Sequence, residues 1–329
     1  MNQAFQEIPT PKAIDRLIAQ FSSEMRDVDD VIRERLGSKV DLIPELGGHL
    51  VHAGGKRLRP LFTLAGASMF GGVNDAAIKL AATVEFIHTA TLLHDDVVDM
   101  SSKRRGRQTA NDVWGNKAPI LVGDYLFARA FELMVEADSL PIMAILSNAS
   151  ARIAEGEVLQ LTSAHDTSLD EQTYYRIIEA KTAVLFEAAL QVGALAAGAG
   201  TQDALHVARF GLSYGCAFQI MDDYLDYAGT EEVIGKQPGD DYREGKLTLP
   251  AILAIADSTP GLLSLFETSD PANGFPKAKE LITASGALEE TKQKAMNFAK
   301  NAQKVLKNQQ APAAHILHDL ADEALARAF

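Results

Sequence analysis

Leu92 to Arg107 read LLHDDVVDMSSKRRGR. Asp95, Asp96 and Asp99 close a run that is otherwise apolar, and Lys103, Arg104, Arg105 and Arg107 follow within a few residues. Asp95 and Asp99 are four positions apart, so a helix carries them on one face about one turn from each other. Upstream, Leu80, Val84, Ile87 and Thr91 keep helical spacing, which predicts a helix from Ala76 to about Met100 with the carboxylates in its last turn. Negative charge there opposes the helix dipole, which favours cations at a C-terminus. A solvated acidic helix end would not explain why Phe86, Ile87, Ala90, Leu92 and Leu93 before it are so apolar. A hard divalent ion with oxygen ligands removes the conflict, and Mg²⁺ binds substrate phosphates through a few carboxylates while keeping waters. Carboxylates followed by cations therefore point to a metal-bridged anion such as a diphosphate.

The pattern recurs in GCAFQIMDDYLDY, Gly215 to Tyr227, where Asp222, Asp223 and Asp226 repeat the spacing after an apolar helical face interrupted by Gln219. Two such clusters on separate helices point to one shared metal site, with Asp95, Asp99, Asp222 and Asp226 as candidate ligands. Cations follow in step. Lys181 sits mid-helix among Ala180, Ala183 and Val184, and Lys236 and Lys246 lie in a glycine-rich segment.

Helical periodicity recurs through the remainder. Helices are expected over Ala118–Ala137, Ile142–Ser163, from a capping box at Ser168-Leu169-Asp170-Glu171 to about Ala197, and over Asp203–Tyr227. No alternating strand pattern of useful length appears. Two segments break the monotony: HAGGKRLRP (His52–Pro60) and GTEEVIGKQPGDDYREGK (Gly229–Lys246), the latter expected as a surface loop able to close over a site. With 329 residues, 47% apolar and 7% aromatic, the expected fold is all-α, one large helical domain over 1–329 whose polar residues converge at one end. The 44 acidic against 31 basic residues give a net charge of −13, which argues against nucleic acid as partner. A lone cysteine, Cys216, excludes an intramolecular disulfide and a cysteine zinc cage. The N-terminus lacks a basic leader with an apolar core, and no stretch reaches the ~20 apolar residues of a bilayer span, Ala188–Gly200 coming nearest. The expected location is the cytoplasm.

Taken in order, GGKRLRP, the two aspartate motifs, Lys181-Thr182 and GKQPGDDYREGKLTLP resemble the trans-polyprenyl diphosphate synthases, over most of the chain. The resemblance implies a helical bundle with a central cavity, a homodimer, and three magnesium ions per active site held by Asp95, Asp99 and Asp222. It implies that an allylic diphosphate such as farnesyl diphosphate is held through the metals and by Arg104, Lys181, Thr182, Gln219 and Lys236, with Lys246 nearby. Isopentenyl diphosphate would be held by Lys56, Arg59, His88 and Arg105, with Arg57 in support. The implied chemistry is ionisation of the allylic C–O bond, attack by the isopentenyl double bond and loss of a proton, the departing diphosphate acting as base. Arg104, Lys181 and the metals would stabilise the leaving charge. No protein nucleophile is needed, and none is evident.

Product length is read from the residues one turn below Asp95, Thr91 and Ala90. Short-chain members of the family carry bulky aromatics at that level, whereas Ala90 leaves it open. The floor is expected lower, at Ile87, Met134 and Leu146, and the product at eight to ten isoprene units. Other readings fit less well. Glu85-Phe86-Ile87-His88 reads ExxH, but a di-iron bundle needs a second such motif. A terpene cyclase has no use for GGKRLRP, a silent partner subunit would have lost an aspartate cluster, and a farnesyl or geranylgeranyl synthase would block the level of Ala90.

Overall fold

The computed structural model describes residues 11–51, 55–104, 107–230, 238–267 and 271–326. The described chain begins with α1 (Ala13–Gln20), α2 (Ser22–Leu36), α3 (Leu42–Val51), α4 (Leu58–Ser68) and α5 (Asp75–Val98). A two-residue antiparallel pair, β1 (Lys103–Arg104) with β2 (Arg107–Gln108), interrupts the helices. Then come α6 (Ala110–Trp114), α7 (Lys117–Glu136), α8 (Leu140–Thr162), α9 (Glu171–Ile178), a π turn (Glu179–Ala183), α10 (Val184–Ala196) and α11 (Thr201–Ala228). Shorter helices at Asp240–Arg243, Leu249–Ala256 and Leu262–Glu267 precede three longer ones, Pro271–Ser285, Ala287–Leu306 and Pro312–Ala326. The expected all-α class is what the chain adopts.

Helix α5 lies at the centre. Asn74 starts it by accepting the Ala77 amide at 2.9 Å, which satisfies one of the amides that a helix start leaves without a partner. Its buried positions run nearly all round, from Ala81 and Ala82 to Phe86, Ile87, Ala90 and Leu93, as a helix surrounded by others requires. It packs against α2, α4, α7 and α10. By length and composition α5 could cross a bilayer, yet 56% of its most apolar window is buried inside the fold. The apolar stretch at Ala188–Gly200 is equally a core feature, for it forms the end of α10 and the turn after it.

Long α11 ties two apolar cores together. Ala204, Val207, Phe210 and Tyr214 enter the larger core with α4, α5 and α10. Farther along, Cys216, Ile220, Met221 and Tyr227 enter a smaller one with Tyr174, Leu249 and Ile282. The first and last described helices meet as well: a Glu323 oxygen accepts the Ala13 amide and its other oxygen the Ile14 amide at 3.2 Å, and Arg16 pairs with Asp319 at 2.6 Å.

Three expectations change. The start of α9 is capped by Asp170, whose side chain accepts from the Thr173 amide at 2.8 Å, while Ser168 donates to Asp166 instead. The single helix expected to reach Ala197 is interrupted by the π turn. The segment Gly229–Lys246 is also no simple surface loop over its described second half. There Asp240–Arg243 is helical, and buried Tyr242 packs edge-on against Phe266 with ring centroids 5.0 Å apart.

Helices α4 and α10 cross at glycine. A methyl on Gly193 would lie 1.9 Å from the Thr63 carbonyl oxygen, and one on Gly66 would lie 2.4 Å from that of Leu190. Both clashes are with backbone, which cannot rotate away. Gly193→Ala is therefore expected to destabilise the fold by about 1–3 kcal/mol, the scale of core overpacking. Urea unfolding followed by circular dichroism reads this as a lower midpoint, and an unchanged midpoint would contradict the close crossing.

Candidate active site

Helix α5 stops at the first aspartate cluster because Met100 turns into the left-handed region, φ 50°. The Ser101 carbonyl then accepts from Thr109 Oγ1 at 2.6 Å and Asn111 Nδ2 at 2.9 Å, which closes the short strand pair back under the helix end. That return brings Arg104 to Asp96, Nε to Oδ1 at 2.7 Å, where Asp96 is only 1% exposed. The middle aspartate thus faces inward and holds an arginine, while Asp95 and Asp99 are paired differently.

Each of those two meets a lysine from elsewhere in the chain. Lys181, carried by the π turn, has its ammonium 3.8 Å from Asp95 Oδ2. Lys246 reaches Asp99 Oδ1 at 3.1 Å. Each lysine also has a second carboxylate: Glu157 at 2.7 Å for Lys181 and Glu244 at 2.7 Å for Lys246. Gln160 Oε1 accepts from Lys181 as well, at 2.7 Å. Burial pushes Asp95 above the usual carboxylate range, against the pull of Lys181 and with help from Asp99. It pushes Glu157 up to about 7, again against Lys181. For Lys246 burial acts downward, but Asp99 and Glu244 outweigh it and its pKa is raised.

The second cluster divides its labour. Asp222 is exposed at the end of α11. Asp223 is buried, accepting from Tyr174 OH at 2.5 Å and Gln219 Nε2 at 2.8 Å, and burial raises its pKa to about 7. Gln219 in turn accepts from Thr182 Oγ1 at 2.9 Å, so its amide orientation is set at both ends. Asp226, expected as a metal ligand, has both carboxylate oxygens on the start of the next helix: Oδ1 accepts the Asp240 amide at 3.3 Å and Oδ2 the Asp241 amide at 3.1 Å. These two bonds secure the segment that delivers Lys246. Lys181, Thr182, Gln219, Asp223 and Lys246 line a cavity of about 140 Å³.

A second cleft, of about 310 Å³, opens farther back along α11 and is lined by Lys12, Lys56, Leu58, Tyr214, Leu320 and Glu323. Close by, Arg59 lies over the Phe186 ring at 4.4 Å and bonds His88 Nε2 at 3.1 Å. A guanidinium can only donate, so His88 accepts there and is neutral with its proton on Nδ1. Arg57 points elsewhere, to Asp29 and, at 4.0 Å, to Glu85, in keeping with a supporting role. Arg105 and Lys236, both expected to contact diphosphate, lie outside the described residues.

Ile87, Ala90, Met134 and Leu146 all belong to the larger core, fully buried on α5, α7 and α8. Thr91 spends its hydroxyl on the His88 carbonyl at 2.8 Å. Sequence reasoning missed Glu157, Gln160, Tyr174 and Glu244. An acid three residues before a glutamine on α8 was a visible signal, but nothing in the sequence linked it to Lys181.

Among the described residues no three acidic or histidine side chains converge tightly enough to hold a metal by themselves. The donor set still suits a hard divalent ion. Asp95 and Asp99 offer only oxygen and already draw one ammonium group each, and magnesium needs one or two protein carboxylates when substrate oxygens and water complete its shell.

Residues 40–279 match the family model for polyprenyl synthetase. The chain is 43% identical over 293 residues to octaprenyl diphosphate synthase of Escherichia coli K12, covering 88% of this chain and 90% of that one. Its fold matches a polyprenyl synthase from Caulobacter crescentus CB15 complexed with calcium and isoprenyl diphosphate, at TM-score 0.91 and 48% identity over 96% of this chain and 99% of the other. A decaprenyl diphosphate synthase from Rhodobacter capsulatus matches at TM-score 0.91 and 46% identity, with the same coverage.

The geometry at Asp226 makes a distinct prediction. Asp226→Ala strips two helix-start amides of their acceptor and should cost about 1–3 kcal/mol of stability, read as an earlier thermal unfolding transition in metal-free buffer. A variant as stable as the parent but demanding far more magnesium would return Asp226 to the metal ligands.

Proposed function

The chain belongs to the polyprenyl synthetase family of trans-prenyltransferases, and on that premise we propose that it extends an allylic diphosphate with isopentenyl diphosphate to an all-trans product of C40–C50. The observation that carries this reading is that Asp95 meets Lys181 and Asp99 meets Lys246, and that both lysines line one cavity. That arrangement suits a diphosphate held between carboxylate-bound cations and ammonium groups. Asp95, Asp99 and Asp222 would hold magnesium, three ions per site. When bound, magnesium supplies positive charge and Lewis acidity to the diphosphate oxygens.

The residues account for the remaining work. Lys181 and Lys246 offer ammonium groups to the allylic diphosphate as negative charge grows on it, with Arg104 and Lys236 assigned beside them. Such fixed charges stabilise the ionising C–O bond without reorganising at the moment of reaction. Thr182 and Gln219, bonded to each other in the cavity wall, are assigned to the same allylic diphosphate. Isopentenyl diphosphate is assigned to Lys56, which lines the second cleft, and to Arg59, His88 and Arg105. The double bond attacks the allylic cation, and a proton passes from the new chain to the departing diphosphate. Apolar helix faces keep water from the cation.

Growth of the chain is directed down α5 past Ala90, toward Ile87, Met134 and Leu146. A small residue at a fully buried level leaves room that larger side chains would fill. The relatives named for octaprenyl and decaprenyl products support the same range. We further propose that the single domain works as a homodimer in the cytoplasm. Helix α7 exposes Ile120, Leu121, Phe131 and Val135, and the start of α8 adds Leu140, an apolar surface suited to a second copy. Cys216 is a buried free thiol, consistent with a reducing compartment.

Purified enzyme given farnesyl diphosphate, labelled isopentenyl diphosphate and magnesium should yield C40–C50 products, and chelation should abolish turnover. Asp95→Ala, Asp99→Ala or Asp222→Ala should each cost at least ~10² in rate with helical circular dichroism intact. Near-normal turnover by Asp222→Ala would remove the second cluster from the site.

Ala90→Phe should shorten the product to C15–C20 while the enzyme keeps turning over, because it fills the proposed path without touching the carboxylates. Chromatography of dephosphorylated products is the test. An unchanged distribution would place the path elsewhere.

A further inference from the structure

Lys181 is gripped from behind by two side chains of α8. Glu157 Oε2 and Gln160 Oε1 each lie 2.7 Å from its ammonium nitrogen. An ammonium has three N–H donors, and these two bonds use two of them. The third direction is the open one: Asp95 Oδ2 is 3.8 Å away, attracted but beyond hydrogen-bond length. We propose that Glu157 and Gln160 are positioning residues, which hold Lys181 so that its remaining N–H points at the allylic diphosphate. The inference rests on the assignment of Lys181 to that substrate.

The backbone is built for this grip. Glu157 and Gln160 are three apart and so share one face of α8. Just before them, a methyl on Gly156 would stand 2.8 Å from Ala180 Cβ and 3.0 Å from the Lys181 amide nitrogen. Glycine there lets α8 seat directly on the π turn, at the level of the lysine. The π turn adds its own constraint, since such turns inside helices set a side chain off the regular helical register and recur at functional sites. Without the grip, Lys181 would be a flexible four-carbon stem that collapses onto Asp95 when the site is empty and onto the substrate in several geometries when it is full. With it, the charge stands ready before the bond breaks, the condition under which electrostatic stabilisation is most effective.

The arrangement separates Glu157 and Gln160 from residues that touch substrate, and kinetics can tell the two apart. Full-length magnesium-loaded enzyme would be assayed with farnesyl and isopentenyl diphosphates as Glu157→Ala, Glu157→Gln, Gln160→Ala, Lys181→Ala and the double variant Glu157→Ala/Lys181→Ala. Glu157→Ala should lower kcat/KM for farnesyl diphosphate by up to about 10²-fold, the scale of a misplaced catalytic group, with KM for isopentenyl diphosphate unchanged. Gln160→Ala should act in the same direction and more weakly. Glu157→Gln, which keeps an acceptor oxygen, should recover most of the activity and confirms that the site is folded. The double variant should be no worse than Lys181→Ala alone, because residues acting through one another do not add. Losses that multiply in the double variant, or equal shifts in both Michaelis constants, would overturn the positioning role. A Lys181→Ala enzyme with unchanged farnesyl diphosphate kinetics would overturn the assignment of Lys181 itself, and the inference with it.

Discussion

Carboxylates at the C-terminal ends of two long apolar helices are the constraint around which this molecule is arranged. Helix dipoles disfavour negative charge there, and neighbouring aspartates repel one another. Elsewhere in the chain the answer to each of these charges can be found. Asp96 turns inward onto Arg104, Asp223 is buried under Tyr174 and Gln219, and Asp226 sits on the start of another helix. Asp95 and Asp99 instead meet ammonium groups, and Asp222 is exposed. The first two are balanced by lysines that the chain brings from remote positions, one on the π turn and one beyond Asp240–Arg243. Carboxylates that draw two ammonium groups form a site with strong attraction for cations.

Packing serves this arrangement at a distance. Glycines at the α4–α10 crossing let α10 lie close to α4, while α5 remains lined by apolar neighbours over most of its length. Helix α11 carries Tyr214 at one cleft and Gln219 and Asp223 at the other, so the spacing of the two proposed diphosphate sites is the rise of one rigid helix. Lys12 and Glu323 border the Lys56 cleft, which puts both ends of the described chain beside the same site.

Much of this was legible in the sequence. The helical period around Leu80–Asp99 and the doubled aspartate spacing point to the right elements, and Asp95, Asp99, Lys181 and Lys246 come together as the motifs imply. Arg59 and His88, far apart in sequence, also meet. What was hidden was hidden for physical reasons. Spacing makes the three aspartates of a cluster look alike, and only the packed fold separates exposed Asp222 from buried Asp223 and Asp226. Glu157 and Gln160 look like the solvated face of α8 until Gly156 brings that face against the π turn. Capping by Asp170 rather than Ser168 turned on where the first helical turn begins, a choice of geometry that composition does not encode. Deep residues such as Met134 and Leu146 are buried as expected, but burial alone does not tell a tunnel floor from ordinary core.

The π turn carries a consequence for how this chain can change. Compared with an unbroken α-helix, a π turn accommodates one residue more, and each residue advances the helix by about 100°. Before the turn, Tyr174 and Ile178 point into the smaller core; after it, Phe186, Ala189 and Leu190 point into the larger one. The surplus residue is thus a phase shifter that lets one continuous rod serve two interiors and hold Lys181 at the seam. Substituting letters within Glu179–Ala183 alters a side chain, whereas removing one letter rotates everything downstream out of its socket. Removing one residue from this stretch would therefore disturb both cores at once, whereas a substitution acts only at its own position.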